Sequence, residues 1–263
     1  MPRQLTSKQV QQWRDEGFLI VPAIMSSSEA AAHVEELAQP PTEVIAAAGL
    51  NRHAVDPAFG RLATHEVVLD IVRQLLEHPT EPPRILQTMY LNKTPEVDGH
   101  LSLGIALHQD THYIPNTPNT LLACWLALTD TDETNGGLFV VPGSHRGPLL
   151  PEGITVDDTN HAKWEMVHKM RDRDGTEWSQ PFHSVDVTAA GFDASQALSL
   201  RVPAGSAVFF SGMTVHGSYK NVSAEPRRAF ATHYMDAGSW VSRCDLQSHL
   251  SSDDVVAQLS SKL

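Results

Sequence analysis

The sequence contains only two cysteines, Cys124 and Cys244, among 263 residues. Two cysteines are too few for a disulfide framework and fit a reducing compartment. No apolar run approaches the length of a membrane-spanning helix. The first nine residues, Met-Pro-Arg-Gln-Leu-Thr-Ser-Lys-Gln, lack the apolar core of a signal peptide. We therefore expect a cytoplasmic protein that has no contact with a membrane.

Positive charge is also scarce, with 19 Lys and Arg against 31 Asp and Glu and a formal net charge of −12. Proteins that bind nucleic acid or anionic membrane surfaces need basic patches, so both classes of partner are disfavoured. Hydrophobic residues make up 41% of the chain, which is enough to bury a core. The length allows one large domain or two small ones.

Helix signals are concentrated before residue 80. Capping boxes at Thr6–Gln9 and Ser26–Glu29 predict two helix starts, with Gly17 ending the first helix and a short strand at 18–21 between them. Apolar residues at helical spacing predict a third helix over 67–75 that Pro79 closes.

From residue 84 onward, apolar segments separated by Pro and Gly turns predict strands. The predicted strands cover 84–92, 120–129, 137–141, 198–202, 207–210, 214–219 and 228–235. Between 143 and about 184 the sequence predicts a long polar loop with a short helix around Trp164 to Met170, which could serve as a lid. Short strands after a helical N-terminal part favour a β-sandwich or jelly roll flanked by helices.

The segment around His108 and Asp110 has a spacing that suits a metal site. Residues i and i+2 of a strand point to the same side, whereas on a helix they diverge by roughly 200°. The same spacing at His33 and Glu35 lies in a strongly helical segment, which we interpret as a solvated helix face. An isolated pair of this kind is more often a hydrogen-bonded strand end. Together with His216, however, it provides the two histidines and one carboxylate of a non-haem Fe(II) site.

Several motifs in a fixed order resemble the phytanoyl-CoA dioxygenase family. They are the run 87–113, Trp125, Asn135-Gly-Gly-Leu, Pro142-Gly-Ser-His, Pro203-Ala-Gly-Ser and His216-Gly-Ser, and the resemblance covers roughly residues 8 to 236. It implies a mainly β protein with flanking helices, built on a double-stranded β-helix (a cupin-like jelly roll). It also implies a single domain over 1–263, with a helical part at about 1–80 and a jelly-roll core at about 84–236.

The resemblance further implies an enzyme that uses Fe(II), 2-oxoglutarate as co-substrate and dioxygen. The implied metal ligands and catalytic residues are His108, Asp110 and His216. The implied co-substrate contacts are Arg227, Ser218, Trp125, Met89 and Gln87. Arg227 and Arg228 are adjacent and must face opposite sides of a strand, so the alternative is that Arg228 points inward. Roles for His112, Tyr113 and His233, in the substrate pocket or behind the metal ligands, stay open.

The activity implied is hydroxylation of an unactivated C–H bond in a small organic substrate. Related halogenases replace the metal carboxylate with a small residue, so Asp110 favours hydroxylation, while desaturation, epoxidation and ring closure use the same ligands. A jelly-roll metal-binding protein, or a cupin-like isomerase or hydrolase without 2-oxoglutarate, is the alternative. The absence of a basic cluster weakly disfavours an acyl-CoA substrate.

Overall fold

A computed structural model describes residues 3–38, 49–77, 82–95, 103–151 and 161–261. Within these ranges five α-helices are present: α1 Ser7–Glu16, α2 Ser27–Leu37, α3 Pro57–Ala63, α4 Glu66–Leu75 and α5 Ser252–Ser260. None of the helices in this part of the chain is long and apolar enough to cross a membrane.

Two antiparallel sheets form the centre of the molecule. The strands are β1 Phe18–Val21, β2 Arg84–Lys93, β3 Ile105–His108, β4 Asn116–Thr117, β5 Leu122–Ala127, β6 Leu138–Val140, β7 Glu165–Arg171, β8 Glu177–His183, β9 Leu198–Ser199, β10 Ala207–Ser211, β11 His216–Ser218, β12 Arg227–Met235, β13 Trp240–Val241 and β14 Leu250–Ser251. The larger sheet has the order β1-β10-β5-β12-β2-β14, and the smaller sheet has the order β3-β11-β6-β9. Two further pairs, β13 with β4 and β7 with β8, lie outside them.

The larger sheet buries both of its faces, which explains the continuous apolar runs in its central strands. On one face of β5, Cys124 and Leu126 pack with the helices in the main hydrophobic core. On the other face, Ala123, Trp125 and Ala127 pack against Leu138 and its neighbours from the smaller sheet. This layering gives the predicted mainly β jelly roll with flanking helices.

The first two helices begin where the sequence predicts. Thr6 and Ser26 each accept a hydrogen bond from the backbone three residues on, and both capping boxes are complete. Gly17 adopts the left-handed conformation that ends α1 (φ 75°). The predicted third helix is present as α4, although Pro79 lies outside the described residues.

Several elements differ from the prediction. The sequence reasoning missed the 3₁₀ segment Gly49–Ala54, α3 and the C-terminal α5. The predicted helix around Trp164 to Met170 is wrong, because β7 and β8 form a hairpin there. The adjacent apolar residues Met166 and Val167 of β7 are both exposed. Apolar and polar residues therefore do not alternate along β7, and the two-residue period that identifies a strand is absent from its sequence.

Candidate metal centre

The three predicted metal ligands come from two paired strands and the turn that follows one of them. His108 is the last residue of β3, and Asp110 opens the 3₁₀ turn Asp110–His112. The expectation of a strand through both residues is therefore corrected. Only Gln109, which keeps an extended backbone (φ −118°, ψ 128°), preserves the strand-like relation between them. His216 begins β11 directly opposite His108, so strand pairing brings the two imidazoles together.

The donor atoms of these residues converge on one point. One ligand atom each from His108, Asp110 and His216 lies within 4.8 Å of the others. The Asp110 Oδ1 atom is 3.4 Å from His108 Nε2 and 3.7 Å from His216 Nε2. All three residues are at most 9% exposed. Such an arrangement goes beyond a hydrogen-bonded pair at a strand end, because a third donor is aimed at the same point.

Backbone carbonyls fix how the two histidines are oriented. His108 Nδ1 lies 2.8 Å from the carbonyl oxygen of Ala106, and His216 Nδ1 lies 3.0 Å from that of Thr214. A carbonyl can only accept, so each Nδ1 carries the proton and each Nε2 presents a lone pair. Burial lowers the pKa of His216 to about 4, which keeps this imidazole neutral at physiological pH.

A buried hydrogen-bond chain supports Asp110 from behind. His233 Nε2 lies 3.0 Å from Asp110 Oδ2, and Gln87 Nε2 lies 3.1 Å from His233 Nδ1. Burial alone would raise the pKa of Asp110, but His216, His233 and the hydrogen bonds of His108 and His233 outweigh it and hold the pKa well below its usual range. Asp110 therefore carries a negative charge with Oδ2 occupied and Oδ1 facing the two ligand imidazoles.

This donor set fits Fe(II). Two imidazole nitrogens and one carboxylate on one side of a point are the ligands of the non-haem iron oxygenases, and they leave the opposite side open. The Nδ1–H contacts and the His233 contact supply the outer hydrogen bonds that orient metal ligands in proteins.

Arg227 lies on the inner face of β12 and its neighbour does not. Arg227 is 3% exposed, whereas Arg228 is partly exposed on the other face. The Arg227 guanidinium carbon is 5.4 Å from the centre of the Trp125 ring, and Nη1 lies 3.5 Å from the carbonyl oxygen of Leu91. Arg227 Nε is buried without a hydrogen-bond partner, and burial lowers the pKa of this residue to about 10. A buried guanidinium with an unused donor is suited to an anionic ligand.

The other predicted co-substrate contacts fall into two groups. Trp125 and Ser218 are both buried, and the Trp125 ring lies beside the Arg227 guanidinium. Met89 is partly buried and packs against the hydrophobic cluster that includes Trp125. Gln87 instead contacts His233, which places it behind Asp110 rather than beside Arg227. The co-substrate contact expected for Gln87 was implied by the family resemblance, which places such contacts on the strand before the metal motif.

Sequence reasoning missed Lys93, which the structure places in this pocket. Its Nζ donates to Ser218 Oγ at 2.9 Å and to the carbonyl oxygen of Tyr219 at 2.5 Å. Lys93 lies four residues beyond Met89 on the same face of β2. Only the pairing of β2 with β12, which places Lys93 opposite Arg227, identifies it.

Aromatic side chains stand beside the metal ligands. The Tyr113 ring is 5.7 Å from the His108 ring and 5.0 Å from the Trp164 ring at the start of the β7–β8 hairpin. The Tyr113 hydroxyl accepts from Val185 N at 3.0 Å and lies 3.3 Å from the carbonyl oxygen of His183. The hairpin is thus connected to the centre through a fixed aromatic contact.

Comparison with known proteins gives a family match over most of the chain. The family described as phytanoyl-CoA dioxygenase (PhyH) matches residues 1–229. A probable phytanoyl-CoA dioxygenase of Caenorhabditis elegans is 30% identical over 184 residues, covering 69% of this chain and 52% of that protein. The peroxisomal phytanoyl-CoA dioxygenase of Bos taurus is 32% identical over 159 residues, covering 58% of this chain and 39% of that protein. The chain thus spans about half or less of these relatives.

Solved structures share the fold. The epimerase SnoN, determined in complex with Fe3+, alpha ketoglutarate and nogalamycin RO, is 23% identical to this chain with a TM-score of 0.63. The match covers 90% of this chain and 86% of SnoN. At this identity the likeness bears on the fold, which agrees with the jelly roll described above.

Proposed function

Because the chain belongs to the phytanoyl-CoA dioxygenase family, we propose that it is an Fe(II)- and 2-oxoglutarate-dependent dioxygenase that hydroxylates an unactivated C–H bond of a small organic substrate. The observation that carries the proposal is the convergence of His108, Asp110 and His216 within 4.8 Å. The co-substrate and iron bound by SnoN, which has the same fold, support this choice of cofactors.

In this proposal His108, Asp110 and His216 are the catalytic residues that hold the metal. A bound Fe(II) would supply the activation of dioxygen, coupled to oxidative decarboxylation of 2-oxoglutarate to succinate. The protein supplies two lone-pair nitrogens and one carboxylate in a fixed orientation. His233 and Gln87 position Asp110, and keep its Oδ2 atom occupied so that Oδ1 faces the metal.

Arg227, Ser218, Trp125 and Met89 form the co-substrate pocket in this proposal. Ser218 lies two residues beyond His216 on the same strand, so their Cα atoms are about 7 Å apart. A five-carbon diacid can therefore reach from the metal to the Ser218 hydroxyl and the Arg227 guanidinium. Trp125, which lies beside that guanidinium, limits the width of the pocket. Bidentate geometry makes arginine well suited to the far carboxylate.

The substrate would enter from the side of Tyr113 and the β7–β8 hairpin. The Tyr113 ring stands next to the His108 ring there and packs against Trp164, so the entrance would be lined by aromatic surface. We further propose that the helices and the jelly roll act as one domain, since α2, α3, α4 and the larger sheet share one hydrophobic core.

We also propose that the protein acts in the cytoplasm on a small-molecule substrate. Its net charge of −12 supports the absence of a nucleic-acid or anionic-membrane partner.

The test is the coupled consumption of dioxygen and 2-oxoglutarate. Purified protein reconstituted with Fe(II) should form succinate in air and should form more when its true substrate is present. Succinate formation should stop when iron, 2-oxoglutarate or dioxygen is left out. A protein that binds stoichiometric iron but never forms succinate would instead support the metal-binding alternative. Turnover without dioxygen would support a cupin-like hydrolase or isomerase.

A further inference from the structure

Two buried cations lie side by side in the co-substrate pocket. Lys93, the last residue of β2, pairs directly with Arg227 of β12 in antiparallel register. Directly paired residues of antiparallel strands extend to the same side, so both side chains enter the jelly roll. Lys93 is 9% exposed and Arg227 is 3% exposed. Lysine and arginine are rarely buried to this degree unless a negative charge compensates them.

Across the described ranges, no carboxylate compensates this pair. Burial lowers the pKa of Arg227, and burial together with Arg227 lowers the pKa of Lys93 to about 7. The acceptors of Lys93 Nζ are neutral, namely the Ser218 hydroxyl and the Tyr219 carbonyl. The pocket thus holds more positive charge than one carboxylate-binding arginine requires.

We propose that Lys93 is a second cation of the co-substrate pocket, which holds the Ser218 hydroxyl in place and makes the affinity for 2-oxoglutarate depend on pH. This inference rests on the proposed function. Because Lys93 donates to the Ser218 oxygen, the hydroxyl hydrogen of Ser218 is free to point at the incoming carboxylate. Lys93 is therefore a positioning residue for Ser218 and a source of charge for the ligand.

The direction of the pH effect follows from the charges around Lys93. Arg227 faces it from β12, β11 presents the Ser218 hydroxyl and the Tyr219 carbonyl, and the turn at Gly136 presents backbone. Of these, Arg227 is the charged group, and with a pKa of about 10 it stays protonated at neutral pH. An arriving carboxylate favours the ammonium form of Lys93 and raises its pKa.

Binding should consequently be tightest below pH 7, where Lys93 is charged before and after binding. Above pH 7 the free protein has lost this proton, so binding must take one up. The dissociation constant should then rise by up to about tenfold per pH unit, until the pKa of the complex is reached.

The experiment is anaerobic calorimetric titration of Fe(II)-loaded protein with 2-oxoglutarate at about pH 6.5 and about pH 8.5. Buffers of different ionisation enthalpy report the protons taken up. Wild-type protein should take up close to one more proton per ligand at the higher pH than Lys93→Met does. Lys93→Met should bind at least about tenfold more weakly at the lower pH, as expected when a charge-assisted hydrogen bond is removed. Lys93→Arg should bind tightly at both values without the extra proton.

Lys220→Met is the matched control, since Lys220 is exposed two residues beyond Ser218 and should behave like the wild type. The melting temperature of Lys93→Met should not fall, because methionine removes a buried charge, and this separates weak binding from misfolding. Unchanged affinity and proton uptake in Lys93→Met would overturn the role of Lys93 alone. Failure of the iron-loaded wild type to bind 2-oxoglutarate would overturn the proposed function as well.

Discussion

The inner face of β2 and β12 carries polar pairs at both ends, and the two ends differ in charge balance. At one end Gln87 and His233 are directly paired and their hydrogen bonds lead to the carboxylate of Asp110. At the other end Lys93 and Arg227 are directly paired and have only neutral acceptors among the described residues. Small and apolar residues separate the two pairs, including Ala229 and Ala231 opposite Leu91 and Met89.

This difference indicates what each end requires. The end near Asp110 offers a carboxylate and imidazole nitrogens, which suit a metal dication. The end near Arg227 offers uncompensated positive charge, which suits a carboxylate. A ligand that chelates a metal with one end and presents an anion at the other satisfies both, and 2-oxoglutarate has these properties.

The largest effect should come from removing a metal ligand. His108→Ala or His216→Ala should lose bound iron and all activity while the fold survives. Each variant keeps only two of the three protein ligands, which are too few to hold Fe(II). Iron content by elemental analysis, with circular dichroism for the fold, checks this. His33→Ala is the control. His33 lies on a helix, two residues before Glu35, so it has the same spacing as His108 and Asp110, and the variant should keep iron. Wild-type turnover in either site variant would rule out the assignment.

The second effect concerns the cationic end. Arg227→Ala should raise the KM for 2-oxoglutarate, because removing one partner of a buried charge-assisted hydrogen bond costs on the order of 2–5 kcal/mol. This corresponds to at least about tenfold, and about thirtyfold at 2 kcal/mol, in affinity. Iron content should change little, since Arg227 is not among the residues whose donor atoms converge.

Arg228→Ala is the matched control for that substitution. Arg228 faces the opposite side of β12 and should change the KM only slightly. Steady-state succinate formation at varied 2-oxoglutarate measures both variants. A large effect in Arg228→Ala with none in Arg227→Ala would reverse the assignment of the two side chains.

A smaller effect is expected at the support of Asp110. His233→Ala should weaken iron binding by about tenfold to a hundredfold, because groups behind a metal ligand typically contribute this much. The readout is the dissociation constant for Fe(II), with the KM for 2-oxoglutarate changing less. His53→Ala, which removes another buried histidine, controls for loss of core packing. Equal iron affinity in His233→Ala and wild type would argue against a positioning role.

The sequence predicted the metal end better than the cationic end, for a physical reason. His108 and Asp110 are two residues apart, so local geometry relates them, and the ordered motifs of the family resemblance added His216. The relation between Lys93 and Arg227 depends on strand pairing across 134 residues (227 − 93), which composition and spacing do not reveal. Likewise, capping boxes at Thr6 and Ser26 are local and were predicted correctly. The β7–β8 hairpin was missed because its exposed strands lack a clear apolar face.

The smallest effect concerns that hairpin, within the segment 143 to about 184 that the sequence predicts to hold a lid. Its amides should exchange hydrogen quickly in the free protein and more slowly with substrate, because Trp164, Met166, Val167 and Trp178 are exposed and bury little apolar surface. Mass-spectrometric exchange over β7 and β8, with β5 as a protected reference, measures this. Strong protection of β7 and β8 without any ligand would contradict the lid.

A single 2-oxoglutarate is expected to join the metal end near Asp110 to the cationic end near Arg227, and calorimetry of 2-oxoglutarate binding tests this directly. We predict one binding site per chain in anaerobic Fe(II)-loaded protein. The affinity should fall at least about tenfold when iron is removed and at least about tenfold when Arg227 is changed to Ala, since each change removes a charged partner of the ligand. Equal affinity with and without iron, or with and without the Arg227 side chain, would show that 2-oxoglutarate does not bridge the two ends.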